Sequence, residues 1–164
     1  MFFNLFYKFT KKSKPLQMYS KEETLFIKKD FWTQFAASNP RKWILYDTKI
    51  KDFTFKFYID NKKAQVLLDI ECNSDELRKI YYEKIESLQT ILREEYIPEV
   101  VLERTFYLQN GKIISRIWVE MLGVSLNNKN TWATIFEFFS TQMALFEDFF
   151  TEYEDYIRDL ELNT

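Results

Sequence analysis

The sequence predicts an α+β fold in the order α-β-β-β-α-β-β-α, with a mixed, mainly antiparallel five-strand sheet and a long C-terminal helix. Three observations carry this reading. Phe53, Phe55, Phe57 and Ile59 alternate with Thr54, Lys56, Tyr58 and Asp60, the period of a half-buried strand. Asn110-Gly111 sits between two apolar runs as a hairpin signal, because both residues accept positive φ. Apolar residues at helical spacing follow Ser20, recur after Ser74 and run on from Thr131.

Each element follows in order. Ser20 with Glu23 three residues later forms a capping box, and Ile27, Phe31 and Phe35 mark a helical face that Pro40 brings to an end. The apolar run Trp43 to Tyr46 reads as a first, short strand. The Phe53–Ile59 strand turns at Asp60-Asn61-Lys62-Lys63 and returns over Ala64 to Glu71, so that Phe57 neighbours Val66 and Phe55 neighbours Leu68. Asn73 or Ser74 caps a second helix reaching about Glu95. Glu99 to Leu108 and Ile113 to Met121 form the second hairpin; a two-residue loop places Leu108 opposite Ile113, Arg104 opposite Ile117 and Leu102 opposite Val119. Val100, Leu102, Phe106, Ile113, Ile117, Val119 and Met121 then share an apolar face. The last helix, from about Thr131 to Leu160, is longer than a domain of this size is wide, so it bends near Ser140 or projects.

Composition excludes several chemistries. The 164 residues are 46% hydrophobic and 29% charged, enough for a core without disulfides or a structural metal. The chain has no histidine, so imidazole catalysis and histidine-ligated metals are excluded. One cysteine, Cys72, makes neither an intrachain disulfide nor a thiolate zinc site. Two glycines, Gly111 and Gly123, are too few for a phosphate-cradling loop.

A lone cysteine and the lack of an export signal point to the cytoplasm, and no uncharged stretch is long enough to span a bilayer. Residues 1–17 carry four lysines and no acid beside a run of aromatics; they are expected to be a loose extension, with Met18 the natural start of a single α+β domain over residues 18–164.

Three groups of side chains are candidates for function. In the first hairpin, Asp52 is expected opposite Glu71 and Thr54 opposite Asp69, which gathers Asp52, Asp69 and Glu71 on one face with Lys56 nearby. Three carboxylates so placed suit a divalent cation such as Mg, activating water for phosphodiester cleavage; a solvated sheet face is the plainer reading. A basic cluster, Arg41, Lys42, Lys49, Lys51, Lys62 and Lys63, interleaves with Trp43, Tyr46 and Tyr58, a pattern that suits phosphate contacts and base stacking. Its plainer reading is solvated turn lysines. The stripe Phe146, Phe149, Phe150, Tyr153 and Ile157 on the last helix continues beyond the reach of a small sheet and is expected to form a homodimer seam or a partner surface.

Two resemblances bear on function. The order α-β-β-β-α-β is similar to that of the restriction-endonuclease-like core, although Asp69-Ile70-Glu71 ends in an acid where that superfamily carries lysine. Lys21-Glu-Glu with Phe31-Trp32, Tyr46-Asp-Thr-Lys-Ile-Lys51, Asp60-Asn-Lys-Lys-Ala64, Ile114-Ser-Arg-Ile117, and Trp132 with Phe138-Phe139 resemble a bacterial family of unknown function about 140 residues long, over residues 18 to 155. That family is found free-standing or behind a restriction-endonuclease-like domain, and it brings no assigned catalytic residues. The resemblance implies a non-catalytic binding or accessory module in a nucleic-acid-associated system, without a cofactor. The alternative is a divergent metal-dependent nuclease using Asp52, Asp69, Glu71 and Lys56.

Overall fold

A computed structural model describes residues 19–160; the expected extension at residues 1–17 lies outside them. Helix α1 spans Lys21–Ser38. Its capping box forms as expected: the Ser20 hydroxyl accepts the Glu23 N–H at 3.1 Å and the Glu23 carboxylate accepts the Ser20 N–H at 2.7 Å. Strands β1 (Phe53–Ile59) and β2 (Lys63–Ile70) make the first hairpin. Helix α2 (Asp75–Ser87) is capped by Ser74 and continues through a short α3 (Gln89–Ile91) into a π-helical turn at Leu92–Tyr96. Strands β3 (Val101–Tyr107) and β4 (Ile113–Leu122) make the second hairpin, and α4 spans Trp132–Arg158.

The sheet has four strands in the order β1-β2-β4-β3, every neighbouring pair antiparallel. This corrects the expected mixed five-strand sheet. The second hairpin joins the sheet through β4, which sets Val66 opposite Val119 and Leu68 opposite Ile117. The return from β2 through α2 therefore ends at an edge, where β3 has no parallel neighbour to pair with. The missing fifth strand is the segment Trp43 to Tyr46. It lies against β1, where the Phe55 N–H bonds the Leu45 carbonyl at 2.9 Å and Trp43 packs on Phe57. It forms no ladder because Leu45 and Tyr46 lie in a tight turn, closed by the Asp47 N–H on the Ile44 carbonyl. The Ile44 N–H bonds Glu147 Oε1 of α4 at 2.6 Å. Without that strand the element order no longer matches a restriction-endonuclease-like core.

The first hairpin has the expected register, Phe57 opposite Val66 and Phe55 opposite Leu68. The second does not. The Leu108 N–H bonds the Lys112 carbonyl and the Gly111 N–H bonds the Leu108 carbonyl, so the loop holds Gln109, Asn110 and Gly111, with Gly111 at φ 83°. Tyr107 therefore faces Ile113, and a bulge between Glu103 and Phe106 sets Leu102 opposite Ile117. The bulge carries Phe106 to the outer face, against Trp118 and Arg116, and away from the apolar face on which it was expected. Ile113, also expected on that face, is exposed.

The inner face of the sheet is covered by α4, flanked by α1 and α2, in one core cluster. Phe139 packs on Phe57, Phe146 on Phe55, and Phe150 on both Phe53 and Phe55. The expectation of an exposed seam is corrected here. Phe146, Phe149, Phe150 and Ile157 are buried within their own chain, and Tyr153 is half-buried against Phe149. The helix is continuous through Ser140, and its far end is covered and does not project. Beyond the sheet, the π turn supplies Tyr96 to Phe149, the Lys84 ammonium donates to the Tyr156 carbonyl at 2.9 Å, and the Arg158 guanidinium bonds the Thr48 carbonyl. Of the acids beside the stripe, Asp148, Glu152 and Asp155 lie on its solvent side, whereas Glu147 is buried.

Glu147 ties the 41–47 segment to the core, since its second oxygen accepts from Arg41 at 2.6 Å. Glu147→Ala is expected to leave the fold intact and to speed exchange of the Ile44 amide by about 10- to 100-fold, the worth of a hydrogen bond to a charged group. Unchanged exchange would show that the segment is held by its packing alone.

Candidate functional site

Two grooves flank the first hairpin, one on each side of β1. The first lies between the end of α1, the 41–46 segment and β1, and has a volume of about 600 Å³. Trp32, Phe35, Trp43, Tyr46 and Phe57 line it, with Arg41 and Lys56 among them. Pro40 and the Glu147 anchor hold the segment extended along β1, which is why aromatic rings stand on both walls. The Arg41 guanidinium lies 4.7 Å above the Trp43 ring while it bonds Glu147, which fixes both groups. From 41 to 51 the chain carries four bases, Arg41, Lys42, Lys49 and Lys51, against the single acid Asp47. Lys49 pairs with that acid, and its ammonium is the chief reason the Asp47 carboxyl lies below its ordinary pKa. Lys42 and Lys51 are exposed and form no ion pair among the described residues. Lys62 and Lys63 belong elsewhere. They sit at the turn that ends β1, about 20 Å along the strand from Lys51, where their N–H groups bond Asp60 and Lys63 approaches Glu120 at 3.9 Å. The six-residue basic cluster is thus two groups.

The second groove crosses the outer face of the sheet, about 810 Å³ between the row Tyr58, Gln65, Glu120 and the tip of the β3–β4 hairpin. Beneath it lies an ion-pair network. Arg116 donates from Nε to Asp69 Oδ1 at 2.7 Å and from Nη2 to Oδ2 at 2.9 Å. Lys56 bridges Asp69 Oδ2 at 3.2 Å and Glu71 at 3.0 Å. Asp69 is 1% exposed, and two cations satisfy both of its oxygens. Burial alone would lower the Lys56 ammonium, but the Glu71 hydrogen bond and the Asp69 charge outweigh it and raise its pKa above the ordinary lysine value.

The expected acidic group is therefore partly assembled. Asp69, Glu71 and Lys56 meet, and Asp52 stands opposite Glu71, accepting its N–H at 2.7 Å through the backbone carbonyl. Asp52 has φ 59°. Its carboxylate acts on the Cys72 thiol, which burial and then the Asp52 charge push up. Among the described residues no three acids or cysteines are placed to hold a metal ion. Sequence reasoning missed Arg116, whose link to Asp69 spans 47 positions and depends on β2 pairing with β4. It also missed Glu147 and Trp32. Glu147 stands beside Asp148 between Phe146 and Phe149, and no local pattern separates the buried acid from the exposed one.

A family model described as Domain of unknown function (DUF4268) matches residues 27–154. Neither the comparison with curated proteins nor that with solved structures gave a match. No helix among the described residues is long and apolar enough to cross a membrane.

Proposed function

We propose, since the chain belongs to the domain-of-unknown-function family DUF4268, that this member is a non-catalytic binding module that holds single-stranded nucleic acid along the 41–51 segment, as an accessory of a nucleic-acid-associated system. The observation that supports it is the union of an aromatic groove with a local surplus of positive charge on a chain whose net charge is −2. Flat rings at Trp32, Trp43 and Tyr46 offer stacking faces for bases, and Lys42 and Lys51 offer ammonium groups free to meet phosphates. The metal-dependent nuclease reading finds no such support, because the carboxylate central to it, Asp69, already gives both oxygens to cations.

The test is the anisotropy of a labelled oligothymidylate titrated with protein across a salt series. About three phosphate contacts predict a slope near −2 in log affinity against log salt, at roughly −0.7 per contact on single strands. Lys42→Glu with Lys51→Glu is expected to weaken binding at least tenfold and to flatten that slope. Both residues are exposed, so the fold tolerates the change. Absent binding at low salt, or indifference to the substitutions, would overturn the reading.

A further inference from the structure

We propose that the outer-face groove is a binding site for an uncharged saccharide, which would make the protein a carbohydrate-binding module on the face opposite α4. The argument starts from charge. Each cation at or beneath the groove is matched by an acid: Arg116 by Asp69, Lys56 by Glu71 and Lys63 by Glu120. An anionic or cationic ligand would have to break one of these pairs, whereas a neutral one meets them intact. The groove is nevertheless rich in hydrogen-bonding capacity. Gln65 Nε2 donates to Glu120 Oε2 at 2.9 Å, which fixes both side chains and leaves their Oε1 atoms without a protein partner among the described residues. Arg116 binds Asp69 through Nε and Nη2, which leaves Nη1 as a held donor. Fixed acceptors beside a fixed donor suit hydroxyl groups, each of which both donates and accepts.

Aromatic faces supply the other half. Tyr58 and Trp118 stand on the outer face and line the groove, Trp118 is braced edge-on by Phe106, and Tyr58 is 40% exposed. Such faces suit the C–H surfaces of a sugar ring, leaving its hydroxyls to the polar rim. An extended peptide adding to the sheet at β3 is the competing occupant. It is disfavoured because the bulge between Glu103 and Phe106 interrupts the free edge it would need.

The experiment is a fluorescence titration of the full chain with uncharged hexasaccharides of glucose, mannose, galactose and N-acetylglucosamine. A saturable response to at least one is expected below roughly 10 mM, the range of weak single-site binding. Its dissociation constant should change less than twofold on raising salt, because no counterions are displaced. Tyr58→Ala, at an exposed position, should weaken binding about tenfold, and Leu25→Ala, exposed on α1, should leave it unchanged. No response to any of the four sugars, a response insensitive to Tyr58→Ala, or binding only of a peptide would overturn the proposal.

Discussion

Replacing Asp69 with alanine is expected to cost the fold about 3 to 5 kcal/mol, the range for breaking a buried ion pair from one side. The loss comes from what is left behind. Arg116 and Lys56, with side chains 16% and 31% exposed, would remain in place without their shared carboxylate. Their partial contact with water points to the lower half of that range. Exchanging Asp69, Arg116 and Lys56 together for apolar residues of similar size is expected to recover most of the loss, since a buried network is costly to halve and cheap to replace whole. Urea denaturation of the two variants measures both. A loss under about 1 kcal/mol for Asp69→Ala would mean that solvent already screens the network as it does a surface pair.

Phe150→Ala is expected to cost a similar amount, about 3 to 5 kcal/mol, for a different reason. Phe150 is 1% exposed, with ring centroids 5.8 Å from Phe53 and 5.7 Å from Phe55. Removing it opens a cavity where α4 crosses the first hairpin. Tyr153→Ala, only half-buried and packed on Phe149, should cost clearly less. Thermal or urea unfolding of the pair checks the order. Equal and small losses would mean that this part of α4 is not packed on the sheet.

What the sequence reveals depends on how far apart the deciding residues lie. The β1–β2 hairpin is legible because the alternating phenylalanines and the Asp60 turn are local, and one register alone keeps Val66 and Leu68 inside. The Ser20 capping box is legible for the same reason. Asn110-Gly111 marks its hairpin correctly yet gives the wrong loop. The same two residues also fit a three-residue turn that ends on Gly111, and the Glu103–Phe106 bulge leaves no residue signature. Trp43 to Tyr46 reads as a strand and lies against β1, but the turn closed by the Asp47 N–H on the Ile44 carbonyl leaves a single bond to Phe55. Glu147, about a hundred positions away, holds Ile44 from the other side. The carboxylates of the outer face are visible in the sequence. Their partner Arg116 is not, because the β2–β4 pairing that aligns it with Asp69 is a property of the whole sheet.

The central claim, that the groove beside the 41–51 segment takes single-stranded nucleic acid, is tested most directly through the four tryptophans. Trp32 and Trp43 line that groove, Trp118 lies across the sheet on the outer face, and Trp132 is buried with its indole N–H bonded to the Leu126 carbonyl. In an NMR titration with oligothymidylate at low salt, the indole signals of Trp32 and Trp43 are predicted to shift and saturate together, while those of Trp118 and Trp132 stay in place. Four unmoved signals, or a shift confined to Trp118, would contradict the assignment.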